Sequence, residues 1–155
     1  MDVQRDFADL CSLLNAKSVD YLIVGGYAVA FHGAPRFTGD LDILVHPTID
    51  HVDRLLAALR EFGFATSGIL PAELLEQNRI LQLGRIPVQI HLMTTISGVS
   101  WEEAWGSRTL GSYGSIPVFF NGRHALITNK RAAGRLKDLA DAEALGRTDI
   151  HSDEP

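Results

Sequence analysis

A strand that must stop abruptly, followed by a strand with acid on one side only, constrains this chain more than any other feature. Tyr21-Leu22-Ile23-Val24 reads as a short buried strand. Gly25-Gly26 ends it, and the apolar stretch Tyr27 to His32 reads as a short helix packed beneath a sheet. Glycines between a strand and a helix let backbone N–H groups approach an anion, and the helix terminus adds its favourable dipole. Arg36-Phe37-Thr38-Gly39-Asp40-Leu41-Asp42-Ile43-Leu44-Val45 then reads as a second strand. Side chains alternate faces along a strand, so Arg36, Thr38, Asp40 and Asp42 share one side while Phe37, Leu41 and Ile43 share the other.

The rest of the chain alternates helices and strands. Val3, Phe7, Leu10, Cys11 and Leu14 recur at helical spacing, which predicts an amphipathic helix over the first fifteen or so residues. Thr48 is placed to cap a helix with Val52, Leu55, Leu56, Leu59 and Phe62 as its apolar stripe and Gly63 as its stop. The segment from Ala65 to Asn78 is poorly patterned, with Pro71 at a helix start. Ile80 to Leu83 and Val88 to Met93 read as a hairpin. Ser100 caps a short helix from Trp101 to Trp105, Ile116 to Phe120 is a last strand, and Arg123 to about Leu145 is helical with a break near Gly134.

These elements predict one α/β (α+β) domain over residues 1–146, a mixed sheet flanked by helices with helices at the C-terminus, and a fraying polar tail over residues 147–155. At 155 residues, 46% hydrophobic and 21% charged, the chain has the size of one domain with a real core. The single cysteine, Cys11, has no internal disulfide partner, and no apolar run approaches the roughly 20 residues a bilayer span requires. With acidic residues where a signal peptide needs its apolar segment, the expectation is a soluble cytoplasmic protein without a membrane partner. A formal net charge of −5 speaks against broad nucleic-acid binding, which would need a local basic patch.

The chemistry concentrates on the second strand. At roughly 3.3 Å per residue, Asp40 and Asp42 stand about 7 Å apart, a spacing at which two carboxylates can converge on one cation. Magnesium prefers hard oxygen ligands and is commonly held by one or two carboxylates together with substrate phosphates. A solvated strand face is the plainer alternative, but the preceding glycine turn would set a phosphate beside such a metal.

Taken together, Val24-Gly25-Gly26-Tyr27-Ala28, Arg36-x-Thr38-x-Asp40-Leu41-Asp42, Ile96-Ser97-Gly98-Val99-Ser100-Trp101-Glu102-Glu103-Ala104 and Lys130-Arg131-Ala132-Ala133-Gly134-Arg135-x-Lys137-Asp138-Leu139-x-Asp141 resemble the nucleotidyltransferase-fold superfamily. The likeness is to small bacterial members related to minimal nucleotidyltransferases and to those of toxin–antitoxin pairs. It implies a triphosphate held at Gly25 and Gly26, Mg2+ or Mn2+ held by Asp40 and Asp42, and transfer of a nucleoside monophosphate to a protein or small-molecule acceptor with release of pyrophosphate. Arg36 and Thr38 would contact phosphate or brace the aspartates; a role at the surface, or in support of residues that touch the ligand, is the alternative for both. Lys130 and Lys137 would meet the triphosphate or an anionic acceptor, with a solvated helix face and a weak Lys137–Asp141 ion pair as the alternative.

The departure from the superfamily pattern lies at His91. Many members carry a third carboxylate at the matching strand position, where this chain reads Val88-Gln89-Ile90-His91-Leu92. Three readings of His91 stand open: a substitute base or ligand, the mark of a weakened activity, and an incidental surface residue. Two functions follow. One is a metal-dependent nucleotidyltransferase acting on a nucleoside triphosphate. The other is a catalytically weakened antitoxin or regulator that works through a protein partner. His32, His46, His51, His124 and His151 show no ligand spacing in sequence, and Trp101 and Trp105 read as core or interface anchors.

Overall fold

The computed structural model describes residues 4–34, 38–76, 78–85 and 88–152. Helix α1 (Arg5–Ala16) forms where Phe7, Leu10, Cys11 and Leu14 fall on one face, and that face is buried. Burial pushes the Cys11 thiol up to about 11, with a Tyr21 hydrogen bond acting weakly the other way, so this cysteine is core rather than a nucleophile. β1 (Tyr21–Val24) is buried at every residue and runs directly into α2 (Gly25–Phe31). β2 (Asp40–Val45) leads to α3 (Ile49–Phe62), where Thr48 accepts from the His51 N–H as the expected cap and the chain leaves the helix at Gly63. A single turn, α4 (Pro71–Leu74), starts at Pro71.

β3 (Ile80–Arg85) and β4 (Val88–Met93) form the expected antiparallel hairpin. α5 (Trp101–Gly106) is capped by Ser100, which accepts from the Glu103 N–H. β5 (Thr109–Tyr113) and β6 (Ile116–Phe120) form a second hairpin, then α6 (Arg123–Ala133) and α7 (Leu136–Ser152) close the chain. None of the described helices is long and apolar enough to cross a membrane.

One strand expectation needs correction, and one strand is additional to those expected. The second strand begins at Asp40, not at Arg36: Arg36 and Phe37 lie outside the described residues, and Thr38 and Gly39 are not in a strand. The physical reason is loss of partners. β1 turns into helix immediately after the Val24–Asp42 pair, and the last pairing to β4 is Asp40 with Gln89, so among the described residues no pairing extends the ladder further back. β5 is an additional edge strand hidden by its glycine. A Cβ on Gly111 would sit 2.7 Å from the Phe31 ring and 2.9 Å from the Phe120 ring, which are stacked on each other at 4.1 Å. Its signal was the Gly114-Ser115 pair between two short strands, with Gly114 at φ 59°.

Among the described residues the sheet has six strands in the order β3-β4-β2-β1-β6-β5, with β2–β4 and β1–β6 parallel and the other pairs antiparallel. One face carries the main core. Leu41, Ile43 and Val45 of β2 join Tyr21, Ile23, Ile90, Leu92, Val118 and Phe120 against the buried stripes of α1 and α3. Each such side chain contributes roughly 1.5–3 kcal/mol on burial. The opposite face carries a smaller apolar cluster in which Leu22, Val24 and Leu44 lie under Val99, Trp101, Ala104 and Ala125. Asp40 and Asp42 alternate with the core residues of β2 and therefore belong to this second face, beyond the edge of its apolar cover.

Candidate functional site

Three elements meet at Asp42. The parallel pairing of β2 with β4 sets Asp42 opposite His91 and Asp40 opposite Gln89, and residues opposed in a parallel ladder point to the same face. His91 Nδ1 lies 3.0 Å from Asp42 Oδ1, and both side chains are about one quarter exposed. With the ionised carboxylate accepting, the imidazole donates from Nδ1, which in a neutral ring leaves the lone pair on Nε2. The third element is the turn at Gly25. This residue has φ 67°, and a Cβ there would collide with Asp42 Oδ2, so glycine is required for both backbone conformation and space. Val24 provides no side-chain cap for the helix that begins at Gly25, and Gly26 is buried.

Burial raises the Asp42 carboxyl above its ordinary value. His91 opposes that shift by charge and hydrogen bond, Asp40 reinforces it, and Lys130 opposes it. The Lys130 charge therefore reaches the site from α6. Lys130 is itself buried, with Nζ 3.3 Å from Asp138 Oδ1 and 3.1 Å from Asp141 Oδ2. Arg135 completes the group, its Nε donating to Asp138 Oδ2 at 2.6 Å and its Nη2 to Oδ1 at 3.3 Å. Burial works to raise the Asp138 carboxyl, but the Arg135 hydrogen bond and Lys130 together outweigh it and hold the group below its ordinary value.

The structure thus brings Gly25, Asp40, Asp42 and His91 to one end of β2, with Lys130 within electrostatic reach. Thr38 precedes the strand, and Arg36 lies outside the described residues. Lys137 sits in the first turn of α7, exposed, on a different helix from Lys130 because the chain turns at Gly134. Asp141 is buried against Lys130, so a surface Lys137–Asp141 pair is not its arrangement. His91 is in contact with Asp42 through its Nδ1.

Other polar groups escaped the sequence reading. Asn121 at the end of β6 is fully buried, and neither its Oδ1 nor its Nδ2 has a hydrogen-bond partner. His46 and His51, which show no ligand spacing in sequence, converge with Asp20: the three ligating atoms lie within 4.8 Å of one another. The correction comes from the antiparallel pairing of β1 with β2, which sets residue 20 beside residue 46 and cannot be read from spacing along the chain. Burial, and then the neighbouring His51, hold the His46 ring below its ordinary pKa, with Asp20 and Glu102 acting against them and Arg54 weakly with them.

No family model matches the chain, and no curated protein matches it by sequence. Solved structures do match in shape. The lincosamide antibiotic adenylyltransferase LnuA, solved with lincomycin bound, superposes with a TM-score of 0.60 at 12% identity, covering 94% of this chain and 98% of that one. An antigenic nucleotidyltransferase-like protein from Paracoccidioides brasiliensis superposes with a TM-score of 0.56 at 17% identity, covering 92% of this chain and 74% of that one. The likeness extends over nearly the whole of this chain, which has the nucleotidyltransferase fold.

Proposed function

We propose that the protein is a divalent-metal-dependent nucleotidyltransferase that moves a nucleoside monophosphate from a nucleoside triphosphate to a hydroxyl of its acceptor. The observation that carries this reading is the position of Asp42, with one oxygen against the Gly25 turn and the other 3.0 Å from His91. The donor set suits a hard cation, Mg2+ or Mn2+. Asp40 and Asp42 offer carboxylate oxygens from one strand face, and the missing Cβ of Gly25 lets the Asp42 carboxylate take its place against the turn. Bound there, the metal would neutralise charge on the triphosphate and on the departing pyrophosphate.

The chain's own residues supply position and proton transfer. The turn at Gly25 and Gly26 would bring backbone N–H groups to phosphate oxygens, with Arg36 and Thr38 from the segment before β2 as further phosphate contacts. Lys137 faces solvent at the start of α7 and is free to meet the triphosphate tail, whereas Lys130, paired with Asp138 and Asp141, acts through its charge on Asp42. Asp42 orients His91 through Nδ1, and Nε2 accepts the proton of the acceptor hydroxyl. The hydroxyl oxygen forms its bond to the α-phosphorus as the bond to the bridging oxygen breaks, and pyrophosphate leaves with that electron pair. LnuA, a chain spanned almost completely by this one, was solved with a small molecule bound, which favours a small-molecule hydroxyl over a protein one.

The test is intact-mass measurement of candidate acceptors after incubation with the protein, Mg2+ and each triphosphate, alongside calorimetry of triphosphate binding. Metal-dependent binding that Asp42→Asn removes, and an acceptor heavier by one nucleoside monophosphate, are the expected results. Failure to bind any of the four triphosphates sinks the reading. One observation favours a second reading, a weakened member that binds nucleotide and works through a protein partner such as a toxin: His91 engages an oxygen of Asp42 that a metal would otherwise use. A His91→Asp variant that transfers nucleotide where the natural chain only binds it assigns the protein to that class.

A further inference from the structure

The end of β2 remote from Asp42 carries three potential ligands of a different character. The backbone N–H of His46 donates to the Asp20 carbonyl at 3.0 Å, one step beyond the last β1–β2 pair, Tyr21 with Val45. This places the side chains of residues 20 and 46 side by side. His51, in the first turn of α3, reaches the same point, with Nε2 3.3 Å from Asp20 Oδ2, while His46 Nδ1 stands 3.9 Å from that oxygen.

Thr48 Oγ1 lies 2.8 Å from His51 Nδ1 and holds the ring in place. With Nδ1 donating to Thr48, a neutral ring would present its Nε2 lone pair toward Asp20. His46 Nδ1 is buried and has no hydrogen-bond partner. Its ring is fixed, stacked on Trp101 at 4.8 Å with planes 9° apart and tilted over His51 at 4.5 Å, so it has little freedom to turn away. Three potential ligand atoms thus lie within 4.8 Å of one another, and one cation would bind all of them.

We propose that Asp20, His46 and His51 bind a divalent transition metal of the zinc class, separate from the magnesium site of the proposed reaction. Two imidazoles and a carboxylate are the donors zinc takes, whereas magnesium prefers oxygen alone. Tetrahedral zinc with bonds of about 2.0–2.2 Å sets its ligands roughly 3.3–3.5 Å apart. The two spacings to Asp20 are 3.3 and 3.9 Å, and the Asp20 side chain, 46% exposed, is free to make the adjustment. Thr48 fixes the His51 ring as outer partners of metal-bound histidines do. Arg54, the nearby cation that opposes binding, is held by Asp50 Oδ2 and the Ser18 carbonyl, each at 2.6 Å. Glu102 favours the metal by charge. A water would complete the four ligands. His46 lies four residues beyond Asp42, about 13 Å along the strand, so one metal does not serve both ends. The zinc clamps the start of β1, the end of β2 and the first turn of α3, and through the ring of His46 it braces α5.

Calorimetric titration of the untagged full-length chain with zinc, and the visible spectrum of the same chain loaded with Co2+, test the site. The expected result is one zinc per chain, a zinc-dependent rise in Tm, and the intense visible absorption of four-coordinate cobalt. Asp20→Asn, isosteric and half exposed, and His51→Gln should each weaken zinc by at least about tenfold. Asp42→Asn should leave zinc binding unchanged even if no nucleotide ever binds. Absence of zinc uptake overturns the proposal. So does uptake that Asp20→Asn leaves within twofold, or that Asp42→Asn removes.

Discussion

At each end of β2 a histidine meets an aspartate, and the two ends are built for opposite purposes. Asp42 and His91 come from central neighbouring strands, 49 residues apart in sequence, with matched exposure, a 3.0 Å contact and a glycine pressed against the remaining oxygen. Asp20, His46 and His51 come from the end of the sheet and a helix start, with looser contacts of 3.3 and 3.9 Å and a half-exposed carboxylate. Burial makes the charge of Asp42 costly, so that end needs rigid support and the field of Lys130. At the outer end burial weighs on the His46 ring while Asp20 is half exposed, and the group gains its order from whatever cation it holds. The same residue types therefore give a preorganised site at one end and a loadable clamp at the other.

Gly25→Ala should show the largest effect. The new methyl group requires an L residue at φ 67° and drives Asp42 from its place. We expect a loss of nucleotidyl transfer of about a hundredfold or more, since small misplacements at a reacting centre cost that much, and a stability loss of about 2–3 kcal/mol by chemical denaturation. Zinc binding should persist in the folded fraction. If it vanishes with stability intact, the two ends are one unit and the contrast fails.

Asp42→Asn separates function from stability. Since the native carboxyl is raised above its ordinary value of 3.8, its favourable contribution is full below that value and is lost as pH rises through the native one. At neutral pH the fold carries the charge at a cost. Asparagine removes that cost, so Tm at pH 7 should rise while metal-dependent triphosphate binding disappears. A fall in Tm would mean that the hydrogen bond to His91 outweighs burial.

Asp138→Asn acts one layer further out. Lys130 would keep Asp141 alone, and half-breaking a buried ion group costs about 3 kcal/mol. The pH sign is opposite to that of Asp42. The Asp138 carboxyl is held below its ordinary 3.8, so its stabilisation is present above that value and fades as pH falls through the native one. The variant should therefore lose that part of the acid sensitivity seen in the natural chain's unfolding curve.

Why one end was legible in sequence and the other was not follows from how each is assembled. Gly25, Asp40 and Asp42 announce themselves because a glycine turn and an alternating strand are local patterns, and the capping residues Thr48 and Ser100 are local too. His91 could be placed on the polar face of its strand, but its bond to Asp42 depends on the parallel register of β2 with β4, which no local pattern specifies. Asp20 and His46 meet only because β1 and β2 run antiparallel with Tyr21 opposite Val45. Lys130 and Asp141 stand in one motif, yet their burial together needs α7 to fold back against α6 after Gly134. Edge strand β5 was missed for another reason: its glycine, which weakens strand propensity, is there to admit two aromatic rings.

Trp101→Phe probes the outer end most gently. Trp101 is 9% exposed, stacks on His46, and also packs on Trp105 with ring centroids 5.1 Å apart. Phenylalanine keeps the apolar contact with Leu44 and Val24 but loses half of the stacking surface, which should cost about 1 kcal/mol. Because the His46 ring is then less firmly held, the rise in Tm that zinc produces should shrink, though by less than in Asp20→Asn. Triphosphate binding should not move, since the apolar cluster around Leu44 lies between Trp101 and Asp42 and passes on shape rather than charge. A parallel fall in both would show that the cluster transmits strain along β2, making the clamp a regulator of the site rather than its neighbour.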